Sequence, residues 1–196
     1  MKNNVAVIGL LGLVFLSLCC DIFTTRDPET PTQNNSTFIQ PVTADIVLEN
    51  LKNSIAQNNT DNYVRCFVDS TTSPRTYIFV PSVEINAQYS SVFSSWTSDN
   101  ERHYFQNFGL PLNGTPYLTF SGTTTLAVSS DSVVYSMNYS FFFPHRRAGI
   151  AQSVKGNMQL YIGANSQRIW SIYRWQDNKT DSDSTWSYWK AVFSGS

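Results

Sequence analysis

Charge is scarce in this chain of 196 residues: 13 Lys and Arg stand against 14 Asp and Glu, a net charge of −1. With 14% charged residues and no basic run there is no electrostatic handle for a polyanion, so nucleic acid is excluded as an expected partner. Histidine and cysteine are scarcer still, His103 and His145 against Cys19, Cys20 and Cys66. Neither histidine has a second ligand at a helical or ribbon interval, so no metal site is expected. Cys66, in Tyr63-Val64-Arg65-Cys66-Phe67, has no evident disulfide partner and reads as a small buried hydrophobe; stability has to come from packing. Long apolar runs are missing too, except for Val5 to Leu18, which at fourteen residues falls short of the about 20 that a membrane span needs. What the chain does have is 69 Ser, Thr, Asn and Gln together with 41% hydrophobic and 14% aromatic residues, too many core formers for a chain disordered throughout.

The one apolar run follows Lys2 and ends in Leu16-Ser17-Leu18-Cys19-Cys20 before polar Asp21, the pattern of a secretory signal. A cysteine closing such a run resembles the lipobox of bacterial lipoproteins. That resemblance implies an exported protein tied to the cell envelope, with the outer membrane the expected site, by a lipid on cysteine. The lipobox prefers a small residue before the lipidated cysteine, which places Cys20, preceded by Cys19, ahead of Cys19, preceded by Leu18. Pro28, Pro31 and Pro41 then sit among Thr, Gln, Asn and Ser, the composition of a tether. The expected organisation is a signal at 1–19, a tether at 20–42 and a single domain at 43–196, long enough for one sizeable core.

Within the domain the hydrophobic period changes once. Thr43 can cap a helix on which Val47, Leu48, Leu51 and Ile55 recur at helical spacing until Asn58-Asn59 stops it. Thr60 or Asp61 can cap a second short helix bearing Tyr63, Val64 and Phe67. A third is expected within Ser91 to Phe108, where Val92, Phe93, Trp96, Tyr104, Phe105 and Phe108 approximate one face. Downstream, Val133, Tyr135, Met137, Tyr139, Phe141 and Phe143 alternate with polar residues. So do Val154, Gly156, Met158, Leu160 and Ile162, and Gly163 to Ser166 reads as a turn into a strand over Ile169 to Trp175. Earlier strands are expected near Tyr117 to Phe120 and Thr124 to Val128. Helices first and a meander afterwards define an α+β fold. Leu48, Leu51, Ile55, Phe67, Tyr135, Met137, Tyr139, Leu160 and Ile172 are expected to share one core.

Val47 to Lys52, Asp61 to Phe67, the long strand hairpin and Trp170-Ser171-Ile172-Tyr173-Arg174-Trp175-Gln176-Asp177 together resemble the nuclear transport factor 2-like superfamily over Thr43 to Asp177. The closing Trp186-Ser187-Tyr188-Trp189-Lys190 resembles the tail of lipoproteins that carry this domain. The resemblance implies helices packed in a strongly curved antiparallel sheet, a cone that often leaves a pocket at its open end. It assigns no reaction, because the superfamily holds isomerases, cyclases and dehydratases beside proteins that only bind.

An isomerase needs an interior carboxylate base and donors for an enolate oxygen. Asp131 sits in Ser129-Ser130-Asp131-Ser132 and reads as a turn residue, while Tyr135 and Tyr139 read as packing. His103 reads as the polar side of a helix and His145 as part of a loop with Arg146 and Arg147, whose charges could meet an acidic ligand or simply water. Asp177, Asp181 and Asp183 lack the glycine and glutamate of a calcium loop. Trp186, Tyr188 and Trp189 read as core closure rather than a sugar platform. No catalytic residue and no cofactor is therefore expected. A ligand-binding rim is expected at Trp96, Tyr135, Trp170 and Arg174, since strict alternation puts Trp170, Ile172 and Arg174 on one strand face. The expected function is a non-enzymatic binding or scaffold domain for a small apolar or polar-headed ligand or an envelope protein, the alternative being an isomerase or dehydratase. An open cone with a buried carboxylate facing a phenol would favour the enzyme, and a cone filled by side chains the scaffold.

Overall fold

Helical spacing in the opening segment becomes helix α1 (Ala44–Ala56) in a computed structural model that describes residues 37–195; the expected signal, Cys19 and Cys20 lie outside the described residues. The Thr43 hydroxyl accepts from the Ile46 N–H at the start of α1, and Val47, Leu51 and Ile55 are buried along one stripe. Asn58, at φ 49°, ends the element. Asn59, rather than Thr60 or Asp61, caps α2 (Thr60–Val64), its Oδ1 accepting from the Asn62 N–H at 3.0 Å. A short strand β1 (Ile78–Val80) and helix α3 (Val83–Gln88), neither expected, come next. The helix expected over Ser91 to Phe108 is two, α4 (Ser90–Phe93) and α5 (Ser98–Gln106). Ser and Thr between them compete for the backbone, and Thr97 with Asn100 forms a capping box that restarts the helix.

Four long strands follow: β2 (Tyr117–Val128), β3 (Ser132–Phe142), β4 (Ser153–Ala164) and β5 (Trp170–Asn178), before the closing helix α6 (Trp186–Ser194). The two early strands expected at Tyr117 to Phe120 and Thr124 to Val128 are one, interrupted by a bulge around Gly122, whose φ of +62° suits glycine. The sheet order is β1-β5-β4-β3-β2, antiparallel except for the short β1–β5 pair, which is parallel. Its curvature follows from bulges in β2 and β5, and the fold is α+β with helices against one curved face, as expected.

The inner face of the sheet supplies Met137, Phe141, Met158, Leu160, Ile162, Ile172 and Trp175, all buried beneath the helices. Of the expected core, Leu51, Ile55, Phe67, Met137, Tyr139, Leu160 and Ile172 are buried, and Leu48 and Tyr135 pack half-buried at its margin. Helix α6 closes it. The Thr185 hydroxyl accepts from the Tyr188 N–H, and Trp186, Trp189, Lys190 and Phe193 point inward at helical spacing. Trp186 lies 4.4 Å from Trp175 and 4.5 Å from Phe141 between ring centres, and Trp189 lies 4.8 Å from Phe141. Residues before Thr43 also belong to the fold. The Asn50 amide clasps Ile39, accepting its N–H at 2.9 Å and donating to its carbonyl at 2.6 Å, and the Trp170 N–H donates to the Pro41 carbonyl at 2.7 Å.

Candidate functional site

Two places are worth examining for chemistry, the interior of the cone and a groove on its flank. In the interior, α5 directs Glu101 inward, fully buried. Its Oε1 accepts from Tyr77 Oη at 2.6 Å, from Trp96 Nε1 at 2.7 Å and from the Lys190 ammonium, and its Oε2 accepts from Tyr63 Oη at 2.8 Å. Lys190 is itself fully buried on α6, its Nζ 3.8 Å from the centre of the Phe79 ring and 4.0 Å from that of Trp175. Burial pushes its pKa down to about 8 against the opposing pull of Glu101. Burial, reinforced by the Glu101 charge, holds the Tyr63 and Tyr77 hydroxyls well above their ordinary range, as neutral donors.

A second carboxylate, Asp177, is also buried. It accepts from Tyr139 Oη at 2.8 Å, from the Ser187 N–H at 2.7 Å and from Ser187 Oγ at 2.5 Å, while Tyr139 Oη accepts the Trp186 N–H at 2.7 Å. Burial raises its pKa, and the bonds from Ser187 and Tyr139 work the other way. The two carboxylates thus pin α6 to the sheet and to α5. Glu101 faces two phenols, the pairing an acid–base site would use, but its oxygens are already occupied by four donors and the space in front of them is filled by Lys190.

Neither interior carboxylate was read from the sequence as buried, although helical arithmetic contains the signal. Glu101, Tyr104, Phe105 and Phe108 fall at i, i+3, i+4 and i+7, and so do Trp186, Trp189, Lys190 and Phe193. Each helix carries one opposite charge on its apolar stripe. Asp177 lies two residues past buried Trp175 on the inner face.

The groove, of about 790 Å³, is bordered by Phe38 and Pro41, by the loop after α2, by the start of α5 and by the β4–β5 turn with Trp170. Neither Glu101, Asp177 nor Lys190 lines it. The four residues expected at one rim are not brought together. Trp170 is half-buried at the groove. Trp96 is 5% exposed and committed to Glu101, and Tyr135 donates to Asp45 at 3.0 Å; neither lines the groove. Arg174 fails for an identifiable reason. Between Tyr161 and Ile162 the β4–β5 register slips, leaving Tyr173 without a partner, so buried Ile172 and Trp175 share the inner face and Arg174 turns outward over the Tyr161 ring at 5.4 Å.

Asp131 is a turn residue, bonded to Ser129 and to Arg75 at 2.7 Å, and His103 is exposed on α5. His145 departs from a surface loop reading. It is 2% exposed, 4.9 Å from the Phe193 ring and 5.7 Å from Trp189, with Nε2 3.1 Å from the Ala151 carbonyl. Asp181 and Asp183 pair with Lys155 and Lys179. Among the described residues no helix is long and apolar enough to cross a membrane.

This architecture is the nuclear transport factor 2-like fold. A nuclear transport factor 2-like protein of unknown function in nutrient uptake from Rhodospirillum rubrum superposes with a TM-score of 0.51 at 11% identity, covering 70% of this chain and 98% of that one. A candidate aromatic ring hydroxylase from Novosphingobium aromaticivorans gives 0.50 at 10% identity, covering 70% and 87%. No protein-family model and no curated protein matches the chain.

Proposed function

We propose that this protein is a lipid-anchored, non-catalytic binding domain of the bacterial cell envelope, with the groove beside Trp170 as its docking site. The observation that carries the reading is the filling of the cone by α6. A substrate reaching Glu101 would have to displace Lys190 and leave a buried carboxylate short of a charged partner, a cost of about 3–5 kcal/mol before any reaction begins. The same contacts argue against the isomerase or dehydratase alternative. The groove, in contrast, is open and falls within the usual volume of a small-molecule site, about 300–1,000 Å³.

What supports the anchor is the apolar run ending at Cys19-Cys20; several acyl chains on one residue hold a protein stably where a single chain does not. Purification of the full chain from membranes, followed by mass spectrometry of the intact protein and of anything bound, tests both halves. A lipid-modified Cys20 (or Cys19) and a bound molecule lost in Ser70→Phe, which fills the groove, but kept in the double variant Glu101→Gln/Lys190→Met are expected. An unmodified chain would overturn the anchor, and a bound molecule indifferent to Ser70→Phe would overturn the site.

A further inference from the structure

We infer that the groove takes a neutral saccharide; the inference rests on the binding reading above and adds the class of ligand. The first argument is charge. Two arginines and two aspartates line the groove, Arg65 and Arg102 against Asp69 and Asp99, so its formal charge is balanced. One of the arginines is held in an ion pair and the other stacks on an aromatic ring. Arg102 bonds Asp61 at 2.5 Å, and the Arg65 guanidinium lies 3.8 Å over the Phe38 ring. Asp69 accepts the Thr71 N–H and hydroxyl, both at 2.8 Å. With opposite charges interleaved along the lining, neither a compact anion nor a compact cation meets a cluster of its own counter-charge.

The second argument is the lining. Ser70, Thr72, Ser73, Ser98 and Ser171 surround the opening with hydroxyls, which suit a ligand that is itself a dense array of donors and acceptors and suit a fatty or steroidal one poorly. The third is Trp170. Its backbone N–H is tied to the Pro41 carbonyl at 2.7 Å, and its half-buried side chain lines the groove with an indole about the size of the C–H face of a pyranose ring. Arg65, flattened on Phe38, keeps in-plane N–H groups available to neighbouring hydroxyls. A flat aromatic face beside planar donors and hydroxyls selects a ring that is apolar on its face and polar on its edge.

The test is saturation-transfer NMR on the full chain in a non-glycosidic detergent, with maltotriose, triacetylchitotriose and mannotriose as probes. At least one trisaccharide should receive magnetisation through its ring C–H protons. Trp170→Ala should weaken its binding about tenfold or more, as truncation of a central aromatic anchor does. Because Trp170 also touches the core, Ser70→Phe is the companion variant, and it should abolish transfer at an unchanged melting temperature. Transfer that survives both substitutions overturns the inference. So does the absence of transfer from all three sugars: if another molecule is then found in the groove, the saccharide class falls and the binding reading stands, and if nothing purified with the protein occupies the groove, both fall.

Discussion

Glu101 and Lys190 would each be ruinous alone in this interior, and each is tolerated because the other lies beside it. The carboxylate also receives Tyr63, Tyr77 and Trp96, so its lone pairs are used, while the ammonium has the faces of Phe79 and Trp175 as further company. Lys190→Met keeps the length and apolar stem and strands the carboxylate; it should cost about 3–5 kcal/mol in urea unfolding. The double variant with Glu101→Gln should recover a good part of that loss. If Lys190→Met is silent, the pair is not the interior anchor described. His145 supplies the pH prediction. Burial holds its pKa below the ordinary 6.5, so folding favours the neutral ring; the unfolded chain binds the proton first as pH falls. Its contribution is complete above pH 6.5 and is lost progressively below it. His145→Phe, which keeps a ring among Phe108, Trp189 and Phe193, should flatten the fall in melting temperature between pH 6.5 and 5 relative to wild type.

At the scale of elements, legibility in the sequence depended on whether an element's own pattern decided its structure. Helix α1 was readable because cap, spacing and stop all lie within one stretch, and β3 and β4 because eleven or twelve residues of alternation outlast any local irregularity. What could not be read were features set by the neighbour. The bulge at Tyr173 depends on how β5 registers against β4, and with it went the shared face of Trp170 and Arg174. Strand β1 has three residues, too few to show a period, and exists because β5 offers a free edge. Glycine in β4 is a further example. A Cβ on Gly156 would stand 2.7 Å from the Asn178 carbonyl oxygen and 2.7 Å from Tyr139 Oη, the hydroxyl that joins Asp177 to the Trp186 N–H. Backbone cannot yield as a side-chain tip can. Gly156→Ala should therefore cost about 1–3 kcal/mol by overpacking, read as a lower urea midpoint, even though alanine suits a strand no worse than glycine. An unchanged midpoint would mean that β4 and β5 part easily there.

For the molecule as a whole, the question is where the cooperative unit begins. Composition placed the tether through residue 42, because Pro41 and its polar neighbours offer little for a core. Tertiary partners overrode that composition: Phe38 lies under Arg65, Ile39 is clasped by Asn50, and Pro41 is buried and receives the Trp170 N–H. A chain beginning at residue 37 keeps every one of these contacts and serves as the reference for the comparison. A chain beginning at Thr43 retains the cap of α1 and all of the sheet, yet it leaves the buried Asn50 amide without the backbone it bonds. Orphaning that one side chain costs about 1–3 kcal/mol, and the exposed flank of Trp170 adds to it. The shorter chain should melt several degrees lower, about 2–12 °C for a domain of this size on that energy alone. Calorimetry on the two fragments decides the matter: equal melting temperatures would return residues 37–42 to the tether, and with them one wall of the groove.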